Sequence, residues 1–300
     1  MITLLLACTV ARLPHSSAAP ETQTVTLEDL LTPGPLVHEV HISARTEGDL
    51  SGLLNLDHPD APPLKKAKVP IVLPVHVLRR EDGSVWVLDT GVTRGFVQGT
   101  KEPAKGLLRA AAGSIRGEVG LADIVGERDL AGVLISHAHL DHILGLPDVP
   151  ADVPVYLGPG ELEERLGRNA LTHRTSQAAL SNHDLRTWDF EAGVPLAGVD
   201  KALDVLGDGS LWALYSPGHT PGSTAFLART TEGPVLLTGD VCHTLWGWEH
   251  DVPPGGYSSD GEAGARSFAL LREMVAQHPE IVVYVGHETD GVGTGVDEVL

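Results

Sequence analysis

The stretch Gly132-Val133-Leu134-Ile135-Ser136-His137-Ala138-His139-Leu140-Asp141-His142 joins a short apolar run to a dense set of polar side chains. Gly132 to Ser136 has the character of a buried strand. Four residues of metal-ligand type, His137, His139, Asp141 and His142, follow it within six positions. A rigid strand end feeding a loop is a good place to hold ligands. Neutral imidazole and carboxylate suit zinc and other borderline divalent ions. His137 and His139 are two apart, so in an extended segment both point the same way, and Asp141 and His142 are free to turn toward a second ion. The bland alternative is a surface loop with coincidental histidines.

The pattern repeats outward from this stretch. Ser216-Pro217-Gly218-His219-Thr220-Pro221-Gly222-Ser223 sets His219 in a tight loop after an apolar run. Thr238-Gly239-Asp240 ends another run with a carboxylate, and Val285-Gly286-His287-Glu288 ends the last one with a histidine. Each is a ligand-type residue at a strand end beside a glycine. Val69–Leu78 and Val85–Leu88 flank the turn Glu81–Ser84 and read as a hairpin. Leu203–Leu206 and Leu211–Tyr215 flank Gly207–Ser210 and read as a second. Val153–Leu157, Thr224–Ala228, Val235–Thr238 and Ile281–Val285 read as strands. Residues 161–168, after Pro159, and Glu262–Gln277 read as helices, the latter amphipathic through Phe268, Leu271 and Val275. Glu47–Pro70 reads as a long surface loop, Asp89-Thr90-Gly91 as a loop ending a strand, and Ala170–Phe190 fits no pattern. Strands alternating with helices, with a hairpin opening each half, predict an α/β fold. Two β-rich halves would pack face to face with helices outside, a four-layer αββα sandwich. The expected division is a 1–30 leader or tail and one domain over 31–300.

Composition narrows the function. The 300 residues carry a formal net charge of −19, which argues against nucleic acid as a partner and favours a small molecule. No apolar run approaches the ~20 residues of a membrane span. Two cysteines, Cys8 and Cys242, make neither a disulfide framework nor a thiolate zinc cluster. Fifteen histidines outnumber the five Trp, four Tyr and four Phe together, which points to metal or acid–base chemistry. Near the N-terminus, Ile2–Val10 reads as the apolar part of a secretory leader, with Ser16 and Ala18 placed for a cut before Ala19. Leu5-Leu6-Ala7-Cys8 loosely resembles a lipoprotein box, which would put lipid on Cys8. No Lys or Arg precedes this short run, so a disordered tail or a misassigned start is the alternative. Export is expected slightly ahead of a cytoplasmic location.

Taken together, HxHxDH at 137–142, then His219, Asp240 and His287, resemble the metallo-β-lactamase superfamily from about Val69 to His287. The resemblance implies that His137, His139 and His219 hold one divalent ion. Asp141, His142 and His287 would hold a second, and Asp240 would bridge the two. Zinc is the expected ion, with iron, manganese and cobalt as alternatives. A hydroxide shared by the ions would attack a carbonyl that they polarise. Asp141 would carry a proton to the leaving group. The His139 position and the lack of a flavodoxin domain separate the chain from di-iron redox members. The Asp240 position separates it from β-lactamases with a Cys ligand. Glyoxalase II-type thioesterases share the GHTPG and GHE segments and are the runner-up, ahead of mono-iron persulfide dioxygenases. The hairpin over Lys68–Gly91 and the layout from Val252 to His287 are most similar to N-acyl homoserine lactonases. Those enzymes carry a Tyr three residues after the bridging Asp, where this chain has His243. His243 is therefore the third expected catalytic residue, with Asp141 and Asp240, donating a hydrogen bond to substrate. Trp246, Trp248 and Tyr257 would wall an acyl chain or simply pack.

Overall fold

The central strands of both sheets, such as Lys68–Arg79, Leu130–Leu134, Leu211–Tyr215 and Thr224–Thr230, are runs that are apolar on both faces. The computed structural model describes residues 13–20, 27–63, 67–100, 102–104, 114–163, 169–289 and 296. The first sheet contains β1 (Ser16–Ala18), β2 (Val37–Asp49), β3 (Lys68–Arg79), β4 (Val85–Leu88), β5 (Arg116–Gly117), β6 (Leu130–Leu134), β7 (Pro154–Leu157) and β8 (Asp184–Trp188). Their spatial order is β1-β8-β7-β6-β4-β3-β2-β5. The second contains β9 (Val194–Leu196), β10 (Val199–Asp204), β11 (Leu211–Tyr215), β12 (Thr224–Thr230), β13 (Gly233–Leu237) and β14 (Val282–Tyr284), in the order β14-β13-β12-β11-β10-β9. Helices are α1 (Leu27–Leu31), α2 (Leu50–Leu53), α3 (Arg94–Val97), α4 (Leu121–Val125), α5 (Leu140–Ile143), α6 (Asn169–Leu180), α7 (Leu245–Glu249) and α8 (Gly261–Gln277). Among the described residues no helix is long and apolar enough to cross a membrane.

The layers are those expected. Between the sheets, Leu78, Leu88 and Leu134 meet Leu203, Leu211, Phe226 and Leu237. Outside the first sheet, Val75, Val87, Val133 and Val155 pack under Ile124 of α4, Ile143 of α5 and Leu180 of α6. Outside the second, Trp212, Leu214 and Leu227 pack under Leu30 of α1 and Phe268, Leu271 and Met274 of α8. Strand side chains alternate between faces, so β11 sends Leu211 and Ala213 inward and Trp212 and Leu214 outward. Both faces are covered, which is why such strands read as unbroken apolar runs.

Both hairpins are present, β3 with β4 and β10 with β11, each antiparallel. Four local readings change. Glu47–Asp49 continues β2, a 13-residue strand paired along β3, and residues 50–53 are helical, so the surface loop is shorter than expected. The unplaced 170–190 stretch holds most of α6 and all of β8. Pro159–Glu163 forms turns, and residues 164–168 of the helix expected there lie outside the described residues. The apolar run Ile2–Val10 and Cys8 also lie outside them. Within the 1–30 segment, Ser16–Ala18 pairs in parallel with β8 as a sheet edge, and Leu30 is fully buried.

Candidate metal centre

His137, His219, Asp240 and His287 each sit just past the end of an apolar strand, Asp141 and His142 lie on α5 after the first of them, and the two sheets bring these ends together. His137 follows β6, His219 follows β11, Asp240 follows β13 and His287 follows β14. Two groups of donor atoms result. His137, His139, His219 and Asp240 form one, and Asp141, His142 and His287 the other, each with its atoms within 4.8 Å of one another. Asp240 links them. Its Oδ1 lies 3.4 Å from His142 Nε2. Its Oδ2 lies 3.3 Å from His219 Nε2, 3.3 Å from His287 Nε2 and 3.7 Å from His137 Nε2. The Asp141 carboxylate is 31% exposed and stands 3.6 Å from His287 Nε2.

Donors held at ~2.0–2.1 Å by one four-coordinate ion stand roughly 3.3–3.4 Å apart, so these separations fit divalent metal ions. The satisfaction of the polar atoms says the same. His137 Nε2, His142 Nε2, His243 Nε2 and Asp240 Oδ1 are buried with no hydrogen-bond partner. Buried polar groups are rarely left so, and metal ions at the two donor groups would satisfy them.

Residues behind the ligands fix their aim. Asp89, at φ +56° just past β4, accepts from His142 Nδ1 at 2.7 Å and from the N and Oγ of Ser136 at 2.8 Å each. That bond commits His142 to present Nε2 to the site. Thr90 Oγ1 and N both donate to the His142 carbonyl at 2.8 Å. The buried Glu161 accepts from Ala138 N at 2.6 Å, from Gly222 N at 2.9 Å and from Thr220 Oγ1, so it ties the 137–142 loop to the His219 loop. Glu288 accepts from Leu245 N and anchors the start of α7. His287 Nδ1 donates to Val72 O at 2.9 Å, and His243 Nδ1 to Leu53 O at 3.0 Å. Gly286 leaves room for the bridging carboxylate, because a Cβ there would stand 2.3 Å from Asp240 Oδ1.

Electrostatics split the histidines of the ion-free chain. Burial holds His137 and His219 well below the ordinary imidazole range and brings His139 to about 4. These rings are neutral and offer lone pairs. Burial also opposes charge on His142 and His287. For His142 the carboxylates of Asp89, Asp240 and Asp141 outweigh it and hold the ring well above its usual value. Asp240 and Asp141 bring His287 to about 8. Burial works against the Asp240 carboxylate too, but the charged His287 and His142 beside it hold it well below the carboxylate range. Burial pushes the Cys242 thiol up, and its Sγ donates to Thr244 O, so it is not a nucleophile.

All seven expected ligands come together, and His243 joins them 3.2 Å from Asp240 Oδ2. A carbonyl only accepts, so an Nδ1 proton is committed to Leu53 O and Nε2 is the ring atom that faces Asp240. Trp246 packs with Leu53 and Val252, and Trp248 lies edge-on to Phe268. Tyr257 Oη accepts from Asp49 N at 2.8 Å. The sequence reading assigned no role to Asp89, Glu161 or Glu288. All three lie within four residues of a strand end and within two of a glycine, the signal used for Asp240, so that signal alone does not separate a ligand from its support.

The profile of the Metallo-beta-lactamase superfamily matches residues 74–287. An N-acyl homoserine lactonase AttM of Azorhizobium caulinodans is 40% identical over 177 residues, covering 54% of this chain and 59% of that one. A second AttM, from Agrobacterium fabrum, is 38% identical over 104 residues, 34% of this chain and 37% of that one. The matched regions thus span well under two thirds of those relatives. A crystallised B. thuringiensis AiiA variant with N-decanoyl-L-homoserine at its active site superposes with a TM-score of 0.62 at 22% identity, covering 87% of this chain and 95% of that one. AidC, described as a dizinc quorum-quenching lactonase, gives 0.55 at 14% identity over 88% and 94%. The profile match spans most of the chain, and the superpositions carry the four layers; the chain belongs to the metallo-β-lactamase superfamily.

Proposed function

We propose that the chain is a di-metal hydrolase that opens lactones, with N-acyl homoserine lactones as the first class to test. The observation that carries this reading is Asp240, whose Oδ1 lies near His142 and whose Oδ2 lies near His137 and His219 of one donor group and His287 of the other. His137, His139 and His219 would hold one ion, Asp141, His142 and His287 the other, and Asp240 both; zinc is the proposed metal. Bound there, two such ions supply a water acidified toward neutrality and a Lewis acid for the carbonyl. Asp141 is the exposed carboxylate of the set, placed to hand a proton to the departing alkoxide as the ring opens. The AttM relatives and AiiA support a lactone over other carbonyl compounds.

A groove of about 1310 Å³ runs beside the His219 loop, lined in part by Leu56, Tyr215, Pro217 and Pro254. Among the described residues its charged lining is Asp57, Asp260 and Glu262, with no Lys or Arg. Such a surface suits a neutral acyl chain better than the carboxylates of a glutathione thioester. Proton release from metal-loaded protein, measured on homoserine lactones and simple γ- and δ-lactones beside S-lactoylglutathione and a β-lactam, tests the reading. Lactone turnover is expected. Thioester turnover without lactone turnover would overturn it.

A further inference from the structure

His243 and His287 stand beside Asp240 in the same way, yet only His287 belongs to the family's ligand order. Each donates its Nδ1 proton to a backbone carbonyl, His287 to Val72 at 2.9 Å and His243 to Leu53 at 3.0 Å. Each brings Nε2 to the same carboxylate oxygen, Asp240 Oδ2, at 3.3 and 3.2 Å. The two rings are near-parallel, 10° between planes and 5.7 Å between centres, and His287 N donates to His243 O at 3.0 Å. The backbone thus builds them as a pair.

The His243 side chain has no solvent exposure, and its Nε2 has no hydrogen-bond partner. With Nδ1 turned to the Leu53 carbonyl, Nε2 is the ring atom aimed at the Asp240 carboxylate. A buried nitrogen and a carboxylate oxygen 3.2 Å apart with no hydrogen bond between them are satisfied together by a metal cation lying against both. The spacing is also that of two donors on one ion. Metal-bound histidines typically donate their other ring N–H to a backbone carbonyl or carboxylate, as His243 does.

We propose that His243 Nε2 is a further metal ligand, binding the ion held by Asp240 Oδ2; this rests on the two-ion reading above. A tyrosine at this position, as in the lactonases the chain resembles, offers a phenol donor. Here an imidazole adds a sixth nitrogen donor to the centre and leaves substrate orientation to other groups.

The test is stepwise zinc affinity by chelator competition, with visible absorption of the cobalt(II)-loaded protein, on the full wild-type chain and on His243→Asn. Asn keeps a side-chain N–H for the Leu53 carbonyl and removes only the second donor. The expected result is two ions in the wild type. One of them should be weakened in His243→Asn by more than the ~10–100-fold that loss of an outer partner alone produces. The cobalt bands should intensify as one donor leaves. Unchanged affinities and spectrum in a variant whose metal-free form melts like wild type would overturn the proposal. Should His243→Asn not fold, the same two readouts on His243→Gln decide it. A wild type that takes up a single ion would instead overturn the two-ion reading; the His243 assignment then stands or falls on whether that ion's affinity drops in the variant.

Discussion

Asp240 is the residue on which the centre turns, because its carboxylate stands within 3.7 Å of nitrogens from both donor groups, His137 and His219 of one and His142 and His287 of the other. Asp240→Ala is expected to lose both ions, whereas His287→Ala should empty chiefly the set it shares with Asp141 and His142; elemental analysis of purified protein checks both. A full metal complement in Asp240→Ala would refute the bridging role. Asp89→Asn is a subtler case. The carboxylate holds His142 at 2.7 Å and Ser136 through two further bonds, so the amide removes charge and one acceptor without removing a ligand. Metal affinity of the His142 set should fall ~10–100-fold with the His137 set spared, as competition with a chelator would measure. The ligands were legible in the sequence because they crowd strand ends beside glycines. Glu161 was not, since its importance lies in joining Ala138, 23 positions before it, to Thr220 and Gly222, 59 and 61 positions after it.

Strands buried on both faces announce themselves, and so do hairpins with a Gly-Asp or Asp-Gly turn, which is why β3, β4, β6, β10, β11 and α8 were readable. Missed elements have weaker patterns. β2 alternates polar residues such as His38, Glu39, His41 and Arg45 along an intermediate-exposure strand, and α6 is polar with little periodicity. The β2–β3 pair hides a titrating device. His38 Nε2 and His76 Nδ1 are 3.0 Å apart, with Tyr284 edge-on to both rings. One nitrogen must donate and the other accept, so a second proton places two donors head to head. Burial lowers His38 to about 4 and His76 well below its ordinary value. Both folded values lie below the unfolded ~6.5, so their contribution is intact above that pH. It is lost as pH falls from there toward about 4, because the unfolded chain takes up protons the folded pair refuses. Urea unfolding at pH 7 and pH 5 should show a smaller loss in the His38→Phe/His76→Phe double variant than in wild type; equal losses would refute the account. Loop contact sets a second limit. A Cβ on Gly158, just past β7, would stand 1.7 Å from the Gly222 carbonyl oxygen in the His219 loop. Gly158→Ala should destabilise by about 1–3 kcal/mol or more in thermal unfolding and weaken the ion at His219.

At the scale of the whole molecule the governing quantity is the formal charge of −19. The proposed metal ions would act at contact distance inside a cage of imidazoles and carboxylates. A substrate still in solvent meets first the summed field of the surface and then the acidic lining of Asp57, Asp260 and Glu262 in the groove beside His219. That field repels anions, and salt screens it as the Debye length shrinks from about 30 Å at 0.01 M to about 8 Å at 0.15 M. Two γ-lactones matched in size, one neutral and one carrying a carboxylate remote from the ring, separate this effect from the chemistry of ring opening. For the neutral lactone kcat/KM should stay within about twofold across that salt range, since no net charge couples it to the field. For the anionic one it should start lower and rise about threefold or more as salt is added. Initial rates at several ionic strengths with the same metal loading measure both. An anionic lactone that is preferred at low salt, with a rate that falls on screening, would mean that a local cationic site rather than the surface charge governs approach, and would remove the case for a neutral substrate.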